Sequence, residues 1–203
     1  MTGEIFMKHF VVTIGCEYGS GGPDIGKYIA KSMGIEYYDR DLVDKVVDKL
    51  GVDRELVEKA DSGDKVKYEF ETKLGPRYAN LTNRVIYTQF EVIEKFAKKS
   101  SCVIIGRCSN YILQDMKNCL NIFIYAPEEF RVRHVMDSHN ISEKEARELV
   151  KYNESMLHSR YEYMTGTKRG DRKLRHMMID SSVLGLEKTA KYIMQLIDLK
   201  FED

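Results

Sequence analysis

The chain has 203 residues, enough for one domain with a proper core, and its 32 Lys and Arg balance its 32 Asp and Glu. Zero net charge excludes a general electrostatic attraction to nucleic acid or to a membrane surface. No apolar run approaches the length needed to span a bilayer, and the four cysteines (16, 102, 108 and 119) form no C-x-x-C pair. That is cytosolic cysteine usage rather than a disulfide frame or a zinc site. Glu4 near the start, with no basic region leading into a long apolar core, speaks against a secretory signal. A cytoplasmic protein is expected.

The first predicted element is a buried strand over Phe10, Val11, Val12 and Ile14. Glycines follow at 15, 19, 21 and 22, and then Ile25, Ile29, Ala30 and Met33 recur on one face of a helix. Strand, glycine loop and helix make the frame of a phosphate-binding loop. Glycines let successive N–H groups turn onto an anion, and the helix N-terminus adds partial positive charge. No register of the loop satisfies G-x-x-x-x-G-K-[ST], since Gly22 stands where the lysine belongs. A tight strand-to-helix turn without a ligand is the plainer alternative, but four glycines in eight residues exceed what a turn needs.

Ile35 to Tyr38 read as a second strand, and Asp39 caps a helix with Leu42, Val43, Val46, Val47 and Leu50 on one stripe. Asp53 can cap a short helix to Ala60. Residues 61–80 are polar, weakly periodic and end in a Gly-Pro turn, which suggests an excursion from the core. A long helix is expected over about 81–98, and a third strand over 102–105 that ends at Gly106-Arg107. The fourth strand covers 121–125, and Pro127 suits the first turn of a helix to about 139. Ser142 and Glu145 form a capping box for a further helix, on which Ala146, Leu149, Val150, Asn153, Leu157, Tyr161 and Met164 share a face. Residues 165–176 are basic, with Lys168, Arg169, Arg172, Lys173 and Arg175 against Asp171 alone. A fifth strand (177–179), Asp180-Ser181-Ser182 and a last helix (186–199) close the chain.

Strands alternating with helices predict an α/β fold with a parallel sheet, right-handed crossovers and helices on both faces. Ligands in such folds bind beyond the carboxyl ends of the strands. The candidates there are 16–24, Asp39-Arg40, Gly106-Arg107, 127–133 and 180–182. With several arginines and a glycine loop at that edge, polyphosphate chemistry fits better than hydride or acyl transfer.

These residues resemble the cytidylate kinase-like family of P-loop nucleoside monophosphate kinases. The matching stretches are TIGCEYGSGGPDIGKYIA at the front, YYDRDLV at 37–43, VIIGRCSNYIL at 103–113, RYEYMTG at 160–166 and IDSSVLGLEKTAKYI at 179–193. The resemblance implies a three-layer P-loop fold with a five-stranded parallel sheet, a helical acceptor-binding insertion at about 53–80 and a lid at about 128–175, all in one domain. It also implies phosphoryl transfer from ATP, with Mg²⁺, to CMP or a related small phosphate acceptor; neither nucleic acid nor membrane is an expected partner. Gly19, Ser20, Gly21, Gly22 and Ile25 match the family's loop, and Asp24 follows it. Asp39 matches an aspartate near the acceptor nucleotide, and Gly106-Arg107 a pair that reaches the acceptor phosphate. Asp180, Ser181 and Ser182 match the loop beside the donor base.

The chain departs from the family at several cations. Cys16 and Pro23 stand where the loop usually carries an arginine and a basic residue. Glu154-Ser155-Met156-Leu157 replaces a lid Asp-Lys-x-Arg, and Arg169 replaces a common tryptophan. Catalytic charge must then come from Arg131, Arg133 and Arg160 or from the basic cluster 168–175. Ser20 and Asp24 are the candidate Mg²⁺ ligands, although Asp24 suits a helix cap better. Tyr68, Tyr78 and Tyr87, with Arg77 and Arg84, lie around the acceptor excursion. Cys16 reads either as a small substitute for arginine or as a modifiable thiol activated by the loop. Lost cations leave two functions open: a phosphotransferase, or a nucleotide-binding sensor without turnover.

Overall fold

A computed structural model describes residues 9–39, 41–51, 54 and 76–201. Among these, β1 (Val11–Cys16), β2 (Glu36–Tyr38), β3 (Cys102–Ile105), β4 (Cys119–Tyr125) and β5 (Met177–Asp180) form a five-stranded sheet in the order β2-β3-β1-β4-β5. Every pairing is parallel, with Val11 opposite both Cys102 and Cys119, and Tyr125 opposite Asp180. The helices are α1 (Gly22–Met33), α2 (Asp41–Leu50), α3 (Pro76–Lys99), α4 (Ser109–Ile112), α5 (Glu128–His139), α6 (Glu143–Thr165), α7 (Ser181–Leu184) and α8 (Leu186–Phe201).

The period-2 alternation of β1 splits the core into two layers. Val12 and Ile14 face α1 and α8, where they meet Ile25, Ile29, Ile193 and Ile197. Val11 faces the other way, with Ile104 and Cys102, against Val85, Ile93 and Ala97 of α3. Thr13 lies on that second face and is fully buried; its hydroxyl donates to Asn121 Oδ1 at 2.7 Å, which meets the need of a buried polar group. A third cluster joins α5 to α6 through Val132, Val135, Ala146 and Val150, with Tyr18 of the glycine loop packed against it. No helix among the described residues is long and apolar enough to cross a membrane.

The expected strands are all present, and the capping box forms as expected: Glu145 N–H donates to Ser142 Oγ, and Ser142 N–H to Glu145 Oε2. The long third helix starts at Pro76, about five residues before the expected 81. Pro76, read as part of a turn, instead opens the helix, a position where proline loses no hydrogen bond. The short helix expected over 53–60 and nearly all of the excursion at 61–80, including Tyr68, lie outside the described residues. Helix α6 buries Ala146, Val150 and Tyr161 of the expected face and adds Met156 and Arg160 to it, because the second half of the helix crosses the carboxyl edge of the sheet.

Candidate active site

Between β1 and α1 the chain turns through Gly19 (φ 83°) and Gly21 (φ 79°), a left-handed backbone that favours glycine. Gly21 is the N-cap residue of α1, and Ile25 N–H is the donor to its carbonyl at 3.0 Å. Gly22 and Asp24 carry first-turn N–H groups, which have no intrahelical acceptor and bear the partial positive charge of the helix start, while Pro23 has none and Ser20 N–H donates to Glu17 C=O at 3.1 Å. A Cβ on Gly21 would lie 2.3 Å from Leu186 of α8, and one on Gly22 would lie 2.5 Å from the Cys16 side chain. The loop is therefore pressed tightly onto its neighbours.

Beside it, at the ends of β1, β2, β3 and β4, is a cleft of about 240 Å³. Asp39 is the only carboxylate among its described lining residues, and it faces Arg107, Arg160, Arg169 and Arg175. Gly106, Arg107 and Cys108 are consecutive left-handed residues (φ 61°, 53° and 56°) that swing the chain off β3 into this cleft. The non-glycine members store strain of about 1–2 kcal/mol each, which the surrounding packing holds in place. Asp39 Oδ2 accepts from the Tyr37 hydroxyl at 3.3 Å.

The guanidiniums are held by uneven means. Arg160 Nη2 donates to Gln89 Oε1 at 2.7 Å, and burial pushes this arginine down to about 10, so it remains charged at neutral pH. Arg175 lies over the rings of Phe123 (5.1 Å) and Tyr161 (5.6 Å), and its Nη2 donates to Arg169 C=O at 3.2 Å. Its Nε and Nη1 are buried and meet no hydrogen-bond acceptor among the described residues. Burial lowers its pKa as well. Arg169, 8% exposed, donates to Cys16 C=O and pairs with Glu154 at 3.1 Å. Burial raises the Cys108 thiol pKa, while these same four arginines pull it the other way.

Of the residues singled out from the sequence, the fold brings Asp39, Arg107 and Arg160 into the cleft beside the loop glycines. It does not bring Arg131 or Arg133 there. Arg131 Nε donates to Ala126 C=O (3.0 Å) and pairs with Glu17 (3.3 Å), while Nη1 reaches Tyr18 C=O; it braces the outside of the glycine loop. Arg133 is exposed on α5. The Ser20 hydroxyl is fully buried and donates to Glu17 C=O (2.8 Å) and Ile124 C=O (3.2 Å), so it is engaged at the sheet edge.

Ser181 is similarly occupied, donating to Ser20 C=O at 2.8 Å and stitching β5 to the loop. Asp180 Oδ1 accepts from Ser182 N–H (2.9 Å) and Ser182 Oγ (2.7 Å) in a local cap. Asp24 makes no cap on its own helix; its half-exposed carboxylate lies 3.3 Å from His134 Nε2. Cys16 is not activated: burial pushes its thiol up to about 11, outweighing the lowering effect of Arg169. Tyr87 and Arg84 are exposed on α3.

In the sequence, Arg169 stood out as a replaced tryptophan and, with Arg175, as part of a basic run that could supply charge, while Glu154 had no role beyond a missing cation. The signal common to the two arginines was that five basic residues in 168–175 oppose a single acid.

Comparison with known proteins agrees with this geometry. The chain matches the cytidylate kinase-like family over residues 11–183. No curated protein matches it. Among solved structures it is similar to an uncharacterized protein from Eubacterium ventriosum ATCC 27560, at 25% identity and TM-score 0.71, covering 93% of this chain and 98% of that one. It shares its fold with shikimate kinase from Acinetobacter baumannii in complex with shikimate (15% identity, TM-score 0.50, 95% and 94% covered). The same holds for shikimate kinase from Bacteroides thetaiotaomicron (11%, TM-score 0.51, 94% and 99%). The parallel sheet is that of the P-loop kinases, and with 11–183 matched the chain belongs to the cytidylate kinase-like family, whose fold and glycine loop are those of nucleotide kinase-like phosphotransferases.

Proposed function

We propose that the protein transfers a phosphoryl group from ATP to CMP or a related small phosphate acceptor. The observation that carries this is the cleft itself: four guanidiniums around one carboxylate, beside a glycine loop and a helix N-terminus. A phosphoryl group in transit spreads charge over its oxygens, and positioned cations stabilise that charge. Asp24, half-exposed beside the loop, would be the residue to hold Mg²⁺, which would neutralise donor phosphates when bound with them.

The loop N–H groups take the donor phosphates, with Pro23 unable to contribute one. Arg107 forks onto the acceptor phosphate from the end of β3. Arg160 and Arg175 lie between, where burial makes each charge count for more than it would in water. At 240 Å³ the cleft falls below the roughly 300–1,000 Å³ of pockets that take drug-sized ligands. The span 128–175, proposed as a lid, therefore opens to admit nucleotide and closes before chemistry.

The test is an ADP-release assay with Mg²⁺ across a panel of nucleoside monophosphates and other small phosphates. ADP formation that depends on one acceptor, at a rate well above ATP hydrolysis alone, is the expected result. ATP binding with no acceptor-stimulated ADP release would replace this reading with that of a nucleotide-responsive binding protein, which the missing loop lysine favours.

A further inference from the structure

The glycine loop already holds an anion. Tyr18 N–H, a backbone donor within the loop, is 2.6 Å from Glu154 Oε1, a carboxylate 136 residues further along on α6. Both oxygens of that carboxylate are 3.1 Å from Arg169 Nη1. Arg169 in turn donates to Cys16 C=O and lies 5.8 Å over the Phe123 ring, fixed at the loop that lacks its own lysine. We propose that Glu154 is a resident stand-in for a nucleotide phosphate, and that an incoming phosphate displaces it and takes Arg169 as its cation. This rests on the phosphate-binding reading of the loop given above.

The exchange is physically direct. A carboxylate and a phosphate both accept from a backbone N–H and from a guanidinium fork, so one replaces the other without loss of hydrogen bonds. The Arg169 side chain is only 10% exposed. Leaving it unpaired is costly, so Glu154 departs only as another anion arrives. The release is local. Val150, one turn earlier on α6, is fixed against Val132 and Val135, while the Glu154 side chain is 27% exposed and has water on one side to turn towards once its partners are taken by another anion. Arg175, whose Nη2 holds the Arg169 carbonyl, ties the backbone of this cation to the rest of the cleft. The latch thus reduces affinity for any polyphosphate by the fraction of time that Glu154 occupies the loop.

The experiment is calorimetric titration of the full chain with inorganic tripolyphosphate and with ATP. Glu154→Gln, which keeps the shape and removes the charge, should bind both about tenfold more tightly than the wild type. Glu154→Ala gives the same reading should glutamine impair folding. Arg169→Met should weaken binding at least tenfold, Arg169→Lys should recover part of it, and Glu154→Gln should bring no gain in the Arg169→Met background. That coupling is what a merely structural pair would not show. Unchanged or weaker binding by the Glu154 variants would overturn the latch while leaving the transfer reading intact if the wild type binds ATP. Failure of every protein, wild type included, to bind either polyphosphate would overturn both.

Discussion

Arg107→Ala is expected to weaken monophosphate binding on the order of 10–100-fold while changing ATP affinity less than about twofold. A charge-assisted fork to a single phosphate contributes roughly 1.5–3 kcal/mol, and Arg107 stands at the β3 end of the cleft, away from the α1 N-terminus that receives the donor. The backbone gives a control. Arg107 sits at φ 53°, so Arg107→Gly relieves left-handed strain of about 1–2 kcal/mol and should fold at least as well as the wild type. If the glycine variant is stable yet loses the acceptor as the alanine variant does, the effect belongs to the guanidinium. Equal losses for ATP and monophosphate, measured by calorimetry, would place Arg107 on the donor side or in the scaffold.

Arg175→Met should separate stability from catalysis. The wild-type side chain has two buried nitrogens, Nε and Nη1, without acceptors among the described residues and lies over the Phe123 and Tyr161 rings. Methionine keeps favourable contact with both rings and removes an uncompensated charge. Unpaired buried donors cost about 1–3 kcal/mol each, so the variant should melt at or above the wild-type temperature. Its kcat should fall by about 10²–10³, the usual loss when one group that stabilises transferring charge is removed. A variant that melts lower yet turns over normally would make Arg175 a structural residue. Such a stability gain with an activity loss is the mark of charge kept for function.

Much of this arrangement was legible in the residue order. The five strands follow from short β-branched runs, and the glycine loop and Gly106-Arg107 follow from their place immediately after two of those strands. What depended on distance along the chain was not legible. Arg131 looked like a lid cation because its position suited one, and nothing local revealed that Glu17 and two carbonyls would hold it outside the loop. Ser20 looked like a metal ligand by type, but which way its hydroxyl points depends on how β4 lies beside the loop. Glu154 read as a lost cation, whereas its contact with Tyr18 exists only once α6 crosses the sheet edge. Arg160 kept its place in the site, and Arg169 and Arg175 emerged from a run that composition alone assigns to solvent.

In the proposed reaction one cleft receives donor and acceptor together, with their phosphates meeting between the glycine loop and the arginines. The most direct measurement is calorimetric titration with a bisubstrate probe, adenosine and cytidine joined by five phosphates. The account predicts one probe per chain, bound at least roughly 100-fold more tightly than ATP because both ends engage at once, and excluded by either ATP or CMP. A probe bound no more tightly than ATP, with CMP still able to bind alongside it, would contradict the account.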